Sequence, residues 1–430
     1  MNDSAGAGAE PTKASAYYVF TLLFLLYLFD YMDRMVVVSL FPSLKDAWGL
    51  TDTQCGLLVS AVYWSILIFT LPVSIIIDRW SRKKCIGTMA LLWSAATLAC
   101  AFTRNFTHLF IARTAIGIGE AGYAPGGTAM ISALFPKEKR AKILGLWNAS
   151  IPLGSAMGIV AGGYIAEHFG WRHAFGIVAL PGMIIALMFF YVRDYETIAL
   201  QQQANNDTQN QWIKIKPAEI ALQFLKNKTL LFNNLAFAAN TFVTTSLLTW
   251  LPTYYHRLEN LPMDKAGTKG GAIMLLAIIG APLGGFLTDR WLQKRKNARA
   301  LFPAISSFCT CLLLVAAFIF LQGHGGQYAV LLMTGISAVA FVPAAVAVTQ
   351  DVVHPGVRAI SLSLCVIVQH VLGSALGPPS IGALSDAFGL QKALMFLPAF
   401  SILAAVLFFM ASFFYVEDSQ KAENIISKPR

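Results

Sequence analysis

Twelve times along 430 residues the chain runs for about 20 mostly apolar residues, and that recurrence constrains its fold more than any other feature. A helix rises 1.5 Å per residue, so a run of that length crosses the roughly 30 Å hydrocarbon layer of a bilayer. The runs fall at 16–41, 53–77, 85–103, 108–134, 143–167, 172–192, 229–255, 270–288, 301–322, 327–349, 359–384 and 392–415. Several contain Gly or Pro, as at Leu251-Pro252 and Phe341-Val342-Pro343, which a helix tolerates where neighbouring helices re-satisfy its backbone. Only 13% of residues are charged, against roughly a quarter in a soluble domain, which excludes a cytosolic globule, a disordered chain and a nucleic-acid binder. The expected fold is therefore all-α, with twelve transmembrane helices.

The net charge of +10 matters by its placement. With the N-terminus cytoplasmic, 23 of the 32 basic residues fall on the cytoplasmic side and seven on the other, the bias of the positive-inside rule. Residues 1–15 are small, polar and acidic, and the first apolar run is too long for a signal core, so it reads as a retained span. The six cysteines lie within or at the ends of spans, with no CxxC pair or nearby His cluster, and read as small apolar side chains. No metal site or cofactor is expected.

The chain is written twice. Asp78-Arg79-Trp80 with Arg82-Lys83-Lys84 recurs as Asp289-Arg290-Trp291 with Lys294-Arg295-Lys296, an offset of 211. Phe135-Pro136 with Arg140 recurs as His354-Pro355 with Arg358, an offset of 218 for the arginine, and Phe169-Gly170 as Phe388-Gly389 at 219. Landmarks in one order at nearly one offset predict two homologous six-helix halves, 16–192 and 229–415. Between them, 193–228 is polar around Gln201-Gln202-Gln203 and is expected to be a cytoplasmic linker; 1–15 and 416–430 are expected to be cytoplasmic tails. Parallel repeats of this kind bind substrate near the membrane midplane between the halves. Asp78, Arg79 and Arg82, with Asp289 and Arg290, combine an acid with several bases at a helix end and are expected to form a gating latch. The small-residue rows Gly154-x3-Gly158-x3-Gly162 and Gly373-x3-Gly377 allow close helix packing.

A charge in the bilayer costs several kcal/mol unless paired or hydrated, so membrane-depth charges mark function. Asp30 and Arg34 are four residues apart, about 40° around the helix and within ion-pair reach; Asp33 lies about 100° from Arg34. Arg113 and Glu120 share a helix face two turns, roughly 10 Å, apart. Adding 218 to these two positions gives Leu331 and Ala338, so the second half lacks the pair. It offers His370 beside Gln369, and neutral donors such as Asn240. Proton binding is therefore expected at Asp33 and Glu120, with Arg34 and Arg113 available to an anionic substrate that competes for them. Asp30, Tyr31, Tyr123, Asn240, Gln369 and His370 are expected to be auxiliary. The plainer alternative is a static network of buried ion pairs.

Tyr31-Met32-Asp33-Arg34, the run ending Asp78-Arg79, Arg113 through Gly119-Glu120-Ala121-Gly122-Tyr123, Leu134-Phe135-Pro136 with Arg140, and Ile151-Pro152-Leu153-Gly154-Ser155 together resemble the Spinster branch of the major facilitator superfamily. The likeness covers mainly 17–192. It implies a proton-linked transporter of amphiphilic lipids such as lysophospholipids or sphingoid phosphates, with Asp33, Arg34, Arg113 and Glu120 as working residues. Asp30 departs from the pattern, which usually has Asn there. The anion:cation symporter family shares a similar Asp-Arg and Arg/Glu arrangement and moves sugar acids and other organic anions; Tyr123-Ala124-Pro125 and Ile151-Pro152 fit Spinster better. No phosphate loop, His-Glu-x2-His or nucleophile elbow is present, so no enzyme and no catalytic residue is expected. The expected partners are protons, a small amphiphilic or anionic substrate and membrane lipids, with no nucleic acid. The expected setting is a monomer in the cell (inner) membrane.

Overall fold

A computed structural model describes residues 13–79, 82–192, 227–323, 325–354 and 357–427, all helices and short connections, with no strand among them. The expected linker lies outside the described residues except for its last two positions, as does most of the N-terminal tail. Twelve spans follow the apolar runs. In the first half they are Lys13–Val36 with Phe41–Trp48, Asp52–Arg79, Arg82–Cys100, Phe106–Glu120 with Tyr123–Leu134, Lys137–Asn148 with Ser150–Phe169, and Trp171–Phe189. In the second half they are Lys228–Leu258, Met263–Leu275 with Ala277–Leu292, Ala298–Val315, Gly326–Ala340 with Val342–Asp351, Arg358–Gln369 with Gly377–Phe388, and Leu390–Leu394 with Leu397–Ser427.

Among the described residues, eight of them are long and apolar enough on their own to cross a membrane. The other four, spans 1, 3, 4 and 7, include the two that carry Asp30, Asp33, Arg34, Arg113 and Glu120 and the Asn-rich seventh. Large apolar side chains such as Ile68, Phe102, Phe286, Phe320 and Phe413 face outward, a surface that suits lipid and would be a liability in water. Cys309 faces outward as well; the other cysteines are buried, and all six are free thiols.

Glycine sets the close approach of spans 1 and 5. A Cβ at Gly154 would lie 2.2 Å from the Leu28 carbonyl oxygen, and one at Gly158 would lie 2.6 Å from that of Met32. Only a residue without a side chain lets the two backbones touch. Span 1 itself changes character after Val36, passing through a 3-10 turn, Val37–Leu40, before resuming as Phe41–Trp48.

Both described ends of the chain lie at one end of the bundle, called here the near end. At the far end the halves meet closely. The start of span 2 packs on the end of span 11, and the end of span 5 on the start of span 8. Ser60 donates to the Ala375 carbonyl across this contact at 2.6 Å, and Ser43 to the Met263 sulfur at 3.3 Å. Phe41 of span 1 packs against Trp250 of span 7.

Candidate functional site

Arg34 is the hub of the buried charges. It sits in the last α-helical turn of span 1, where a cation complements the negative end of the helix dipole. One terminal nitrogen donates to Asp30 Oδ2 at 2.9 Å, and Nε lies 2.9 Å from Glu120 Oε2. The guanidinium also stacks over the Tyr31 ring, 4.6 Å from its centre. One cation is thus clasped by two carboxylates. Glu120 comes from span 4, as the last residue before that span breaks at Ala121-Gly122 and restarts at Tyr123. Asp30 Oδ1 and Glu120 Oε1 keep no hydrogen-bond partner.

Asp33 is different. Its side chain is wholly buried, and neither carboxylate oxygen has a hydrogen-bond partner. It points away from Arg34, as its 100° offset requires, with Thr97 and Arg113 among its neighbours.

Arg113 does not face a carboxylate. Nε donates to the Leu58 carbonyl at 3.1 Å, and the terminal nitrogens to the carbonyls of Asp33 at 2.8 Å and Arg34 at 2.9 Å. The last two lie in the final α-helical turn of span 1, just before its 3-10 turn. Arg113 is fully buried and staples span 4 to spans 1 and 2 through backbone. The expectation that it offers itself to a substrate anion does not hold in this conformation, because all three of its donor nitrogens are engaged and no open surface reaches it. The seven-residue spacing put Arg113 and Glu120 on one face correctly; the packing decided that they bond different partners.

The auxiliary residues divide. Tyr123 donates its hydroxyl to the Leu23 carbonyl and joins an aromatic group in which Tyr27 stacks on Trp147 at 4.3 Å. Asn240 is buried and donates to Ser307 at 2.6 Å, so it braces the second half from inside. His370 lies on a π-helical turn of span 11 and stacks on Tyr63 of the first half, ring centres 5.6 Å apart, its Nδ1 buried without a partner. Gln369 beside it is half-buried.

The expected near-end latch is not engaged where it can be seen. Asp289 is 74% exposed and reaches only Arg299, 4.0 Å away in its own half; Arg290 is exposed. The side chains of Asp78, Arg79 and Arg82 lie outside the described residues. A clamp between the halves stands instead at the far end. Arg257 at the end of span 7 grips Asp52 at the start of span 2 with two hydrogen bonds of 2.7 and 2.6 Å, while Lys45 and Ser385 add theirs at 2.5 Å. Arg257 lies just past the apolar run 229–255. The sequence reading passed over Asp52 and Arg257 because each stands outside an apolar run, 205 residues apart.

A fold with two like halves, closed at one end, and a charge cluster buried in one half is the architecture of a carrier. The family model of the Major Facilitator Superfamily matches residues 23–378. The chain is 26% identical to Protein spinster of Drosophila melanogaster over 87% of its own length, and spans 62% of that protein. It is 30% identical to the hexuronate transporter of Bacillus subtilis over 71% of its length and 72% of that protein's. A crystal structure of a bacterial homologue of the human lysosomal transporter Spinster, inward-facing and unoccupied, superposes with a TM-score of 0.81 at 21% identity, covering 95% of this chain and 99% of that one. The chain is a multi-pass membrane protein that belongs to the Major Facilitator Superfamily, in its Spinster-like branch.

Proposed function

We propose that the protein is a proton-coupled secondary transporter that works by alternating access, with the near end facing the cytoplasm. The observation that carries this reading is the uneven charge of the buried cluster: one arginine, Arg34, between Asp30 and Glu120, with Asp33 beside them lacking any donor. A carboxylate without a partner is very costly in the membrane interior, so Asp33 rests there as the neutral acid and loses its proton only when water or a cation reaches it. The clasp gives Glu120 a matching role. One proton on Glu120 leaves the neutral pair Asp30–Arg34, and its departure leaves a net negative charge that favours movement of the halves or entry of a counter-charge.

The cargo is a small amphiphile with an anionic head, of lysophospholipid or sphingoid-phosphate type. The Spinster-like likeness and the aromatic rings beside the buried charges, Tyr31 under Arg34 with Tyr27 packed on it, support this. The hexuronate transporter relative favours a second reading, symport of a sugar acid or other organic anion with protons. The basic bias supports a setting in the cell (inner) membrane with cytoplasmic termini, and we take the protein to be a monomer.

Glu120→Gln tests the coupling. In proteoliposomes it is expected to abolish proton-driven accumulation while sparing counterflow; unchanged driven uptake overturns the assignment. Thermal-shift screening against lysolipids and sugar acids separates the two cargo classes, since a ligand at a hundred times its Kd adds about 2.7 kcal/mol of stability.

A further inference from the structure

The far-end closure holds a second pair of contacts, which the Asp52–Arg257 clamp does not explain. Asp386, near the end of span 11, accepts hydrogen bonds from the backbone N–H groups of Asp52 and Thr53 at 2.7 and 2.8 Å and from the Thr53 hydroxyl at 2.6 Å. These are the first N–H groups of span 2. Glu167, near the end of span 5, accepts from the N–H of Met263 at 2.9 Å, the first of span 8. Each acid therefore caps a helix of the opposite half.

The two contacts are copies of one another. Glu167 and Asp386 differ by 219, the offset that relates Gly170 to Gly389, and Asp52 and Met263 differ by 211, the offset that relates Asp78 to Asp289. Gly170 and Gly389 follow the acids by three residues and take the same left-handed turn, φ 87° and 86°. Residues of that φ are glycine by preference, so both turns aim the preceding helical end alike.

Neither capped helix offers a side-chain acceptor of its own to the N–H groups that these acids take. Span 8 has Pro262 at its N-cap, with no side-chain oxygen to offer. Span 2 has a local box, Thr51 with Gln54, but the hydroxyl of Thr51 takes only the Gln54 N–H at 3.1 Å. A helix N-terminus left without acceptors is unfavourable, and an anion there is stabilised by the dipole. The acids have the reverse problem in their own helices. Each stands in the last turn, where the dipole disfavours a carboxylate. What each half lacks, the other provides.

We propose that Glu167 and Asp386 are a pseudo-symmetric pair of gate residues, each closing the far end by capping the other half's second span, and that both caps release when that end opens. Separation takes the acceptors from the N–H groups of Asp52, Thr53 and Met263 and returns both carboxylates to unfavourable helix ends. The pair thereby biases the resting protein toward far-end closure, without touching the buried charge cluster. The idea rests on alternating access, not on proton coupling or on the cargo.

Spin labels on the full-length protein in lipid nanodiscs test it, at Asp46→Cys and Lys392→Cys, which are exposed on opposite halves of the far end, in a Cys309→Ser background. Loss of one cap by Glu167→Ala or Asp386→Ala is expected to raise the ratio of far-end-open to closed distances about five-fold, and loss of both by roughly the product. Glu167→Asp and Asp386→Glu are expected to restore much of the closed population, which a general loss of stability would not produce. Should an alanine variant fail to fold, Glu167→Gln and Asp386→Asn, which keep the shape and drop the charge, are expected to shift the ratio in the same direction. Unchanged distances in folded variants overturn the proposal. So does opening on loss of Asp386 with no change on loss of Glu167, because the two then do not act as a pair.

Discussion

Replacing Arg113 by lysine keeps the positive charge and removes the planar fork, and so asks whether this residue holds helices or binds anions. The fork makes three bonds to backbone carbonyls, on Leu58, Asp33 and Arg34, at 2.8 to 3.1 Å. Those oxygens lie on two different spans, and a lysine ammonium on a single stem reaches one of them at best. Two charged hydrogen bonds are then lost, each worth about 1.5 kcal/mol at the low end, for about 3 kcal/mol in all. For a six-helix half that corresponds to a fall of about 6–12 °C in Tm. Thermal unfolding of the purified protein reads it directly, and counterflow in proteoliposomes reads cargo affinity in the same preparation. The expected pattern is a large loss of stability with a cargo affinity little changed among the molecules that stay folded. If Arg113→Lys keeps its Tm and loses affinity steeply, the staple reading is wrong and the residue meets the cargo in another conformation.

Asp33→Asn removes a buried, unpartnered carboxyl, so Tm is expected to hold or rise, while the pH dependence of uptake disappears; a pH profile identical to the natural protein's refutes the assigned role. Asp52→Arg is expected to loosen the far-end clamp, and adding Arg257→Asp to restore part of it, read by the same spin-label distances; no recovery in the double variant counts against a direct pair. Gly154→Ala places a Cβ 2.2 Å from the Leu28 carbonyl oxygen, with backbone on both sides, and is expected to cost about 1–3 kcal/mol by forcing spans 1 and 5 apart; an unchanged Tm would show that this contact yields freely.

Much of the architecture was legible in the residues. Runs of apolar side chains had to become spans because lipid satisfies no backbone polar group, and the doubled landmarks fixed two halves without any reference to packing. Within one helix, angular arithmetic also sufficed: Asp30 and Arg34 pair across one turn, and Asp33 points elsewhere. Arithmetic along a helix could not assign Arg113, whose partners are backbone carbonyls of spans 1 and 2 packed beside span 4. The expected latch shows the same boundary. Its residues were sound candidates by composition, yet among the described residues Asp289 reaches only its own half, and the ion pair that joins the halves lies at the other end.

The sequence by itself determined that the chain lives in a bilayer, that it is two related bundles, and that the first carries the ionisable cluster. Hydrophobicity, repetition and helical period are properties of a chain read in one dimension. The tertiary structure decided which charges meet: Glu120 with Arg34, Asp52 with Arg257, Asp386 and Glu167 with the helix ends of the opposite half. Those pairings join residues 86 (120 − 34) to 334 positions apart, and they depend on how rigid helices lie against each other, which no local spacing records.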